Sequence, residues 1–138
     1  MNDRRSHART WIAKAESDLM AAERLLAAEG PYDAVCFHAQ QACEKALKAL
    51  LALREVDIPR THNLEELQAR CRTAFPEALP SELSTADLAV LTPYAVEARY
   101  DAEFWPDREA GAGAVSTARQ LVHAVSNIAR RDAGDGPD

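Results

Sequence analysis

The sequence predicts an all-α protein, specifically an up-and-down four-helix bundle with one short additional helix. Three observations carry that expectation. Alanine, leucine and glutamate dominate while aromatic residues make up only 6%, a composition that favours helix over sheet. Apolar residues recur at spacings of three and four along most of the chain, the period of one helical face. Proline and glycine fall mostly between those periodic stretches, where helices must stop.

Each element follows from its own pattern. From about Ser6 to Glu29, Ala8, Trp11, Ala15, Leu19, Ala22 and Leu26 draw one apolar stripe, and Gly30-Pro31 ends the helix. The second helix, about Tyr32 to Arg54, carries Val35, Ala39, Ala42, Ala46, Ala49 and Leu53 and is closed by Ile58-Pro59. The loop between the two is short, so they are expected to form an antiparallel hairpin. Asn63, with Glu66 three residues on, reads as an N-cap with a capping-box partner and opens a short helix to about Phe75. Pro76 and Pro80 bracket a turn. Ser81 can cap a fourth helix running to about Arg99, with Leu88, Leu91, Ala95 and Ala98 inward. Pro93 lies inside it and should kink or interrupt it, because it removes one hydrogen bond and crowds the carbonyl of Ala89. After a loop from Tyr100 to Pro106, a last helix sets Val115, Ala118, Val122, Val125 and Ala129 against Ser116, Arg119, His123 and Arg130 on its other side.

A chain of 138 residues fits one domain and can bury roughly two-thirds of its unfolded surface without disulfide or metal support. The bundle is assigned to residues 1–131. Residues 132–138 have nothing to bury and are expected to be a disordered tail.

Several functional classes are disfavoured at once. A net charge of −6 argues against broad, non-specific coating of nucleic acid, which needs a basic surface. No run of about twenty apolar residues exists to span a bilayer, and the basic opening segment lacks the apolar core of a signal peptide; a cytoplasmic protein with no membrane association is expected. Three cysteines without a Cys-x-x-Cys pair support neither a disulfide framework nor a zinc site. Cys36 and Cys43 are two helical turns apart, about 10 Å between Cα atoms and beyond disulfide reach, so they read as small core residues. There is no Glu-x-x-His step for a di-iron bundle, no glycine-rich phosphate loop and no His-Glu-x-x-His. No metal and no cofactor are expected.

What remains are side chains at suggestive spacings. His38, Gln41, Lys45 and Lys48 follow one another at three, four and three residues and form a polar stripe beside the apolar one on the second helix. Such a stripe could bind phosphates or a partner's acidic groups, or it could be a solvated face on which Glu44 and Lys48 pair at i,i+4. The up-and-down topology adds a charge argument. It gathers Arg4, Arg5, Arg9, Lys48, Arg54, Arg60, Arg130 and Arg131 at one pole, and Glu29, Asp33, Glu97, Asp101, Glu103, Asp107 and Glu109 at the other. The basic pole is either a phosphate-steering surface or the ordinary preference of cations for helix C-termini. The alanine-rich stripes also leave broad apolar surfaces that suit a homodimer.

The run from Tyr32 to Leu51, which contains Phe37-His38-Ala39-Gln40-Gln41-Ala42-Cys43-Glu44-Lys45-Ala46-Leu47-Lys48, resembles the signature helix of the HEPN family. Arg60-Thr61-His62-Asn63-Leu64 is similar to a second family segment and Glu97-Ala98-Arg99-Tyr100 to a third, in the family's order; the likeness spans about Ala13 to Ala129. It implies a bundle of four to five helices, commonly dimeric, often paired with a minimal nucleotidyltransferase in a two-component toxin–antitoxin system, with nucleotide or RNA contact. On that basis His38, Gln41, Lys45, Lys48, Arg60, His62, Arg99 and Tyr100 are candidates for nucleotide or partner binding. Asp101 stands where the family pattern has proline. Many family members are metal-independent ribonucleases carrying an arginine, four to six residues and a histidine. Here the nearest pair, Arg119 and His123, has only three residues between, so catalysis is not expected, and a ribonuclease using that pair stays as the alternative. A purely structural helical interaction module is the other.

Overall fold

The computed structural model describes residues 3–76 and 85–134. Six helices occur among them: α1 Asp3–Ala27, α2 Tyr32–Leu53, α3 Leu64–Ala74, α4 Thr85–Leu91, α5 Tyr94–Tyr100 and α6 Arg108–Ala133. The long members are α1, α2, the interrupted pair α4 and α5, and α6, with α3 as the short extra helix. No strand forms among the described residues.

The interruption is the one allowed for at Pro93. Thr92 and Pro93 form a turn between α4 and α5, and the Thr92 side chain reaches across to the opening of α3. The Thr92 hydroxyl donates to Glu65 Oε1 at 2.6 Å, and its oxygen accepts from the backbone N–H of Leu64 at 3.1 Å. The turn therefore fastens the end of α4 to the start of α3. Ser81, the expected cap of this helix, lies outside the described residues.

Chain reversal after α1 is tight. Glu29 and Gly30 both take positive φ values, 66° and 111°, and their N–H groups return to Leu26 and Leu25 carbonyls, closing the helix end as left-handed residues do. Asn63 caps α3 as its residue type suggests, accepting from Glu66 N at 2.9 Å. The reciprocal half of the expected capping box does not form. Thr61 Oγ1 takes the Asn63 N–H and Glu66 faces Arg70 instead.

A one-sided α2 was the expectation; the structure corrects it. α2 contacts α1, α3, α4, α5 and α6, and besides the predicted stripe it buries Cys36, Gln40, Cys43, Glu44, Leu47, Lys48, Leu50 and Leu51. It is the central helix, and a helix surrounded on nearly all sides cannot keep a solvated face. Its alanines from Ala39 to Ala52, with Ala8, Ala15 and Ala22 of α1, are consumed within the core. Small residues also set the approach of α6: a Cβ on Gly111 would meet Val35 Cγ1 at 3.2 Å.

The start of α1, the end of α2 and the end of α6 meet at one pole. Arg4 Nη1 donates to Leu53 O at 3.1 Å and to Asp132 Oδ2 at 2.8 Å, and Arg5 Nη2 donates to Asp132 O at 2.8 Å. This clamp carries α6 to Ala133, two residues past the expected boundary, with Gly134 as a left-handed C-cap. The remainder of the expected tail, 135–138, lies outside the described residues.

Candidate functional site

The polar stripe of α2 divides between two carboxylates. Toward its middle, Asp18 of α1 receives Lys45 Nζ at 2.6 Å on one oxygen and His38 Nδ1 at 2.9 Å on the other. On a neighbouring face of α2, Glu44 is 5% exposed and is met by Lys48 Nζ at 2.9 Å, His62 Nδ1 at 2.8 Å and Gln40 Nε2 at 3.2 Å. Gln41 donates to Gln40 Oε1 at 2.7 Å. The loop from 54 to 63 makes this second cluster possible by laying His62 over α2, where Gln40 also holds the His62 carbonyl. Lys48 lies 5.7 Å from the centre of the Trp11 ring, a further favourable contact for a cation largely withdrawn from water. Burial pushes the Glu44 carboxyl up, but hydrogen bonds from His62, Lys48 and Gln40 outweigh it and hold the group below its ordinary value.

Spacing made the Glu44–Lys48 pair legible, but not its burial. Asp18 was missed altogether. The signal lay in His38 and Lys45, seven residues apart, since two turns of one helix can flank a single acid on the next.

Arg99 and Tyr100 close α5. Arg99 Nε donates to Ala95 O at 2.8 Å, and its guanidinium lies 5.3 Å from the Phe37 ring and 5.1 Å from that of Tyr100. Tyr100 does not cover the core; it is 73% exposed, and Trp105 of the following loop is 77% exposed. Phe104, between them in the chain, packs on Tyr94 with ring centres 5.3 Å apart. Arg60 is exposed on the loop before α3.

Arg119 and His123 are both exposed on α6 but serve different surroundings. Arg119 Nε donates to Glu23 Oε2 of α1 at 2.8 Å. His123 lines a groove of about 490 Å3 between α1 and α6, near the basic pole, with Arg5, Arg9, Ser126, Asn127 and Arg130. Sequence reasoning placed three of these arginines at that pole. It also set His123 and Arg130 on one side of the last helix but left out Asn127, although the steps of four and three among the three follow a single helical face.

Among the described residues no group of histidine, cysteine or acidic side chains could hold a metal ion. The cysteines are all free and buried, and desolvation pushes Cys36 up to about 11 and Cys43 and Cys71 to about 12. No described helix is long and apolar enough to cross a membrane.

Comparison with known proteins places this geometry. A family model described as the HEPN domain matches residues 8–128. The crystal structure of TT1696 from Thermus thermophilus is similar at 30% identity, with a TM-score of 0.73 over 91% of this chain and 98% of that one. ST0689, described as an archaeal HEPN homologue, shares the fold at 22% identity, with a TM-score of 0.69 over 88% of this chain and 97% of that one. No protein of curated function matches.

Proposed function

The chain belongs to the HEPN family, and from that premise we propose that it acts by association. It works as a homodimer and as the partner of a nucleotidyltransferase in a toxin–antitoxin-type pair, in the cytoplasm, with nucleotide or RNA contact at exposed members of the polar set, Arg60 and His62 first. One observation carries the association reading: the exposed aromatic surface of Tyr100 and Trp105. Aromatic residues concentrate in protein interfaces and dominate their energetics. Val96, also half-exposed, precedes Tyr100 by four residues and shares its face of α5.

A second copy suits this patch because an isologous contact must be self-complementary. Arg99 supplies a cation, and Glu97, Asp101 and Glu103 supply acids within one short stretch. A two-fold axis can set each copy's Arg99 against the other's carboxylates. The reading without catalysis is supported by the ion pair that turns Arg119 toward Glu23, away from a joint role with His123.

Light scattering tests the dimer. The wild type is expected near twice 15.1 kDa at micromolar concentration, and the Tyr100→Ala/Trp105→Ala variant near the single-chain mass. A monomeric wild type, or a double variant that stays dimeric, defeats the reading.

A further inference from the structure

The groove between α1 and α6 shares no lining residue with the Tyr100 and Trp105 patch, and the association reading does not use it. We propose that it is the docking site for an amphipathic helix of a partner protein, one that carries acidic residues at one end of its apolar stripe.

Helix geometry sets the shape of the groove. Its lining runs from Arg5 to Glu16 on α1 and from His123 to Arg130 on α6. On both helices steps of three and four dominate, so two helical ridges face solvent with the groove between them. At about 1.5 Å per residue the α1 ridge is about 16 Å long, or about three turns. A docked helix uses anchors at i, i+3 or i+4, and i+7, which cover about 10 Å. Met20, 49% exposed, continues the α1 ridge one turn past Glu16. An exposed methionine on such a ridge adapts to the side chains of an incoming helix.

The lining sets the chemistry of the occupant. Ile12 is half-buried and, with the buried Ala8 and Leu53, gives the groove an apolar strip that a row of aliphatic side chains would cover. Charge is unevenly placed along it. Elsewhere in the bundle, cations that face a neighbouring element reach an acid there: Arg4 reaches Asp132, Lys45 reaches Asp18 and Arg119 reaches Glu23. Arg9 and Arg130 line the two walls of the groove, both exposed, and neither makes an ion pair among the described residues. Arg130 is held by the Asn127 side-chain oxygen instead. Among the described residues Glu16 is the one acid on the lining, and it stands two turns from Arg9, about 10 Å along α1. Carboxylates at the Arg9 and Arg130 end, with none facing Glu16, complement that pattern.

Other occupants fit less well. A second copy laid across the groove about a two-fold axis would offer the single acid Glu16 to two arginines. RNA has no apolar stripe to cover Ile12 and Met20, and it would carry phosphates past Glu16.

Fluorescence anisotropy at low salt tests the proposal with a labelled model helix of about four turns, bearing leucines at i, i+4 and i+7 and glutamates beside the first of them. Control peptides replace the glutamates by lysine or the leucines by serine. The acidic peptide is expected to bind the wild type, with amide NMR shifts centred on Ile12 and Asn127, and each control to bind at least ten-fold more weakly. Arg9→Gln/Arg130→Gln, at two exposed positions, should weaken the acidic peptide at least ten-fold and flatten its salt dependence. Arg108→Gln, at the other end of α6, should leave affinity within two-fold. The proposal fails if the acidic peptide does not bind, if either control binds as well, or if the double variant keeps wild-type affinity. An oligouridylate that binds more tightly than the peptide, and loses its affinity in the double variant, would assign the groove to RNA and overturn the proposal. A lower mass of the double variant in light scattering would overturn it too, because a second copy would then be what covers the groove. A monomeric wild type, which defeats the dimer reading, leaves the peptide results standing.

Discussion

Glu44 keeps its charge while buried because three neighbours donate to it, and that arrangement sets its response to acid. Its folded pKa lies below the ordinary value of 4.5, so the folded state favours the ionised form more than the unfolded state does. The stabilisation is complete above about pH 4.5 and is lost as pH falls through the folded value. Urea unfolding at pH 7 should show Glu44→Ala destabilised by about 3–5 kcal/mol, because Lys48 is then left buried without its counter-charge. The gap to the wild type should narrow as pH drops below about 4.5. A variant within about 1 kcal/mol of the wild type at pH 7 would remove the cluster from any account of stability. At this scale the i,i+4 spacing was readable in the sequence, but the environment was not. Whether Glu44 and Lys48 meet water depends on where a loop eighteen residues away brings His62, and no local pattern encodes that.

At the scale of elements, local signals served well wherever they acted locally. Gly30-Pro31, Asn63 and Pro93 each mark a helix end, since each changes the backbone or its hydrogen bonds directly. The short helix α3 depends on such a signal more than its longer neighbours do. Asn63→Ala removes the side-chain acceptor for Glu66 N and should cost about 1 kcal/mol, whereas Glu66→Ala, which breaks only an exposed 3.5 Å pair with Arg70, should cost a few tenths. Thermal melts of the two variants check this, and equal losses would mean that the capping box closes in solution after all. What the elements did not reveal was their rank. The alternation of α2 reads as one-sided because alanines and leucines on its other faces look like helix formers until several neighbours are known to cover them. The alanine stripes likewise suggested helix-face surfaces for a partner, yet the two most exposed large apolar side chains among the described residues, Tyr100 and Trp105, lie at the end of α5 and in the loop after it.

For the whole molecule, chain direction brings the start of α1 and the ends of α2 and α6 to one pole, as the sequence made visible. Acids share that pole with the arginines: Asp132 pairs with Arg4 and Arg5, and Asp3, Glu55 and Asp57 lie beside Arg4. The sequence could not show which arginines are committed to helix ends and which face the groove, because that choice is made by side-chain geometry at the junction of three helices. The burial of the three cysteines has a consequence for time rather than for structure. Reaction with an alkylating agent requires a thiolate in contact with solvent, and Cys36, Cys43 and Cys71 are fully buried with pKa values of about 11, 12 and 12. In the native chain, labelling must wait for a fluctuation that opens the surrounding helices. Cys71, on the short peripheral α3, should be modified before Cys36 and Cys43 on the central α2, as peptide mapping by mass spectrometry after timed iodoacetamide pulses would show. Simultaneous labelling would mean that the bundle opens only as a unit. The molecule thus carries an internal clock, with one hand on its edge and two at its centre.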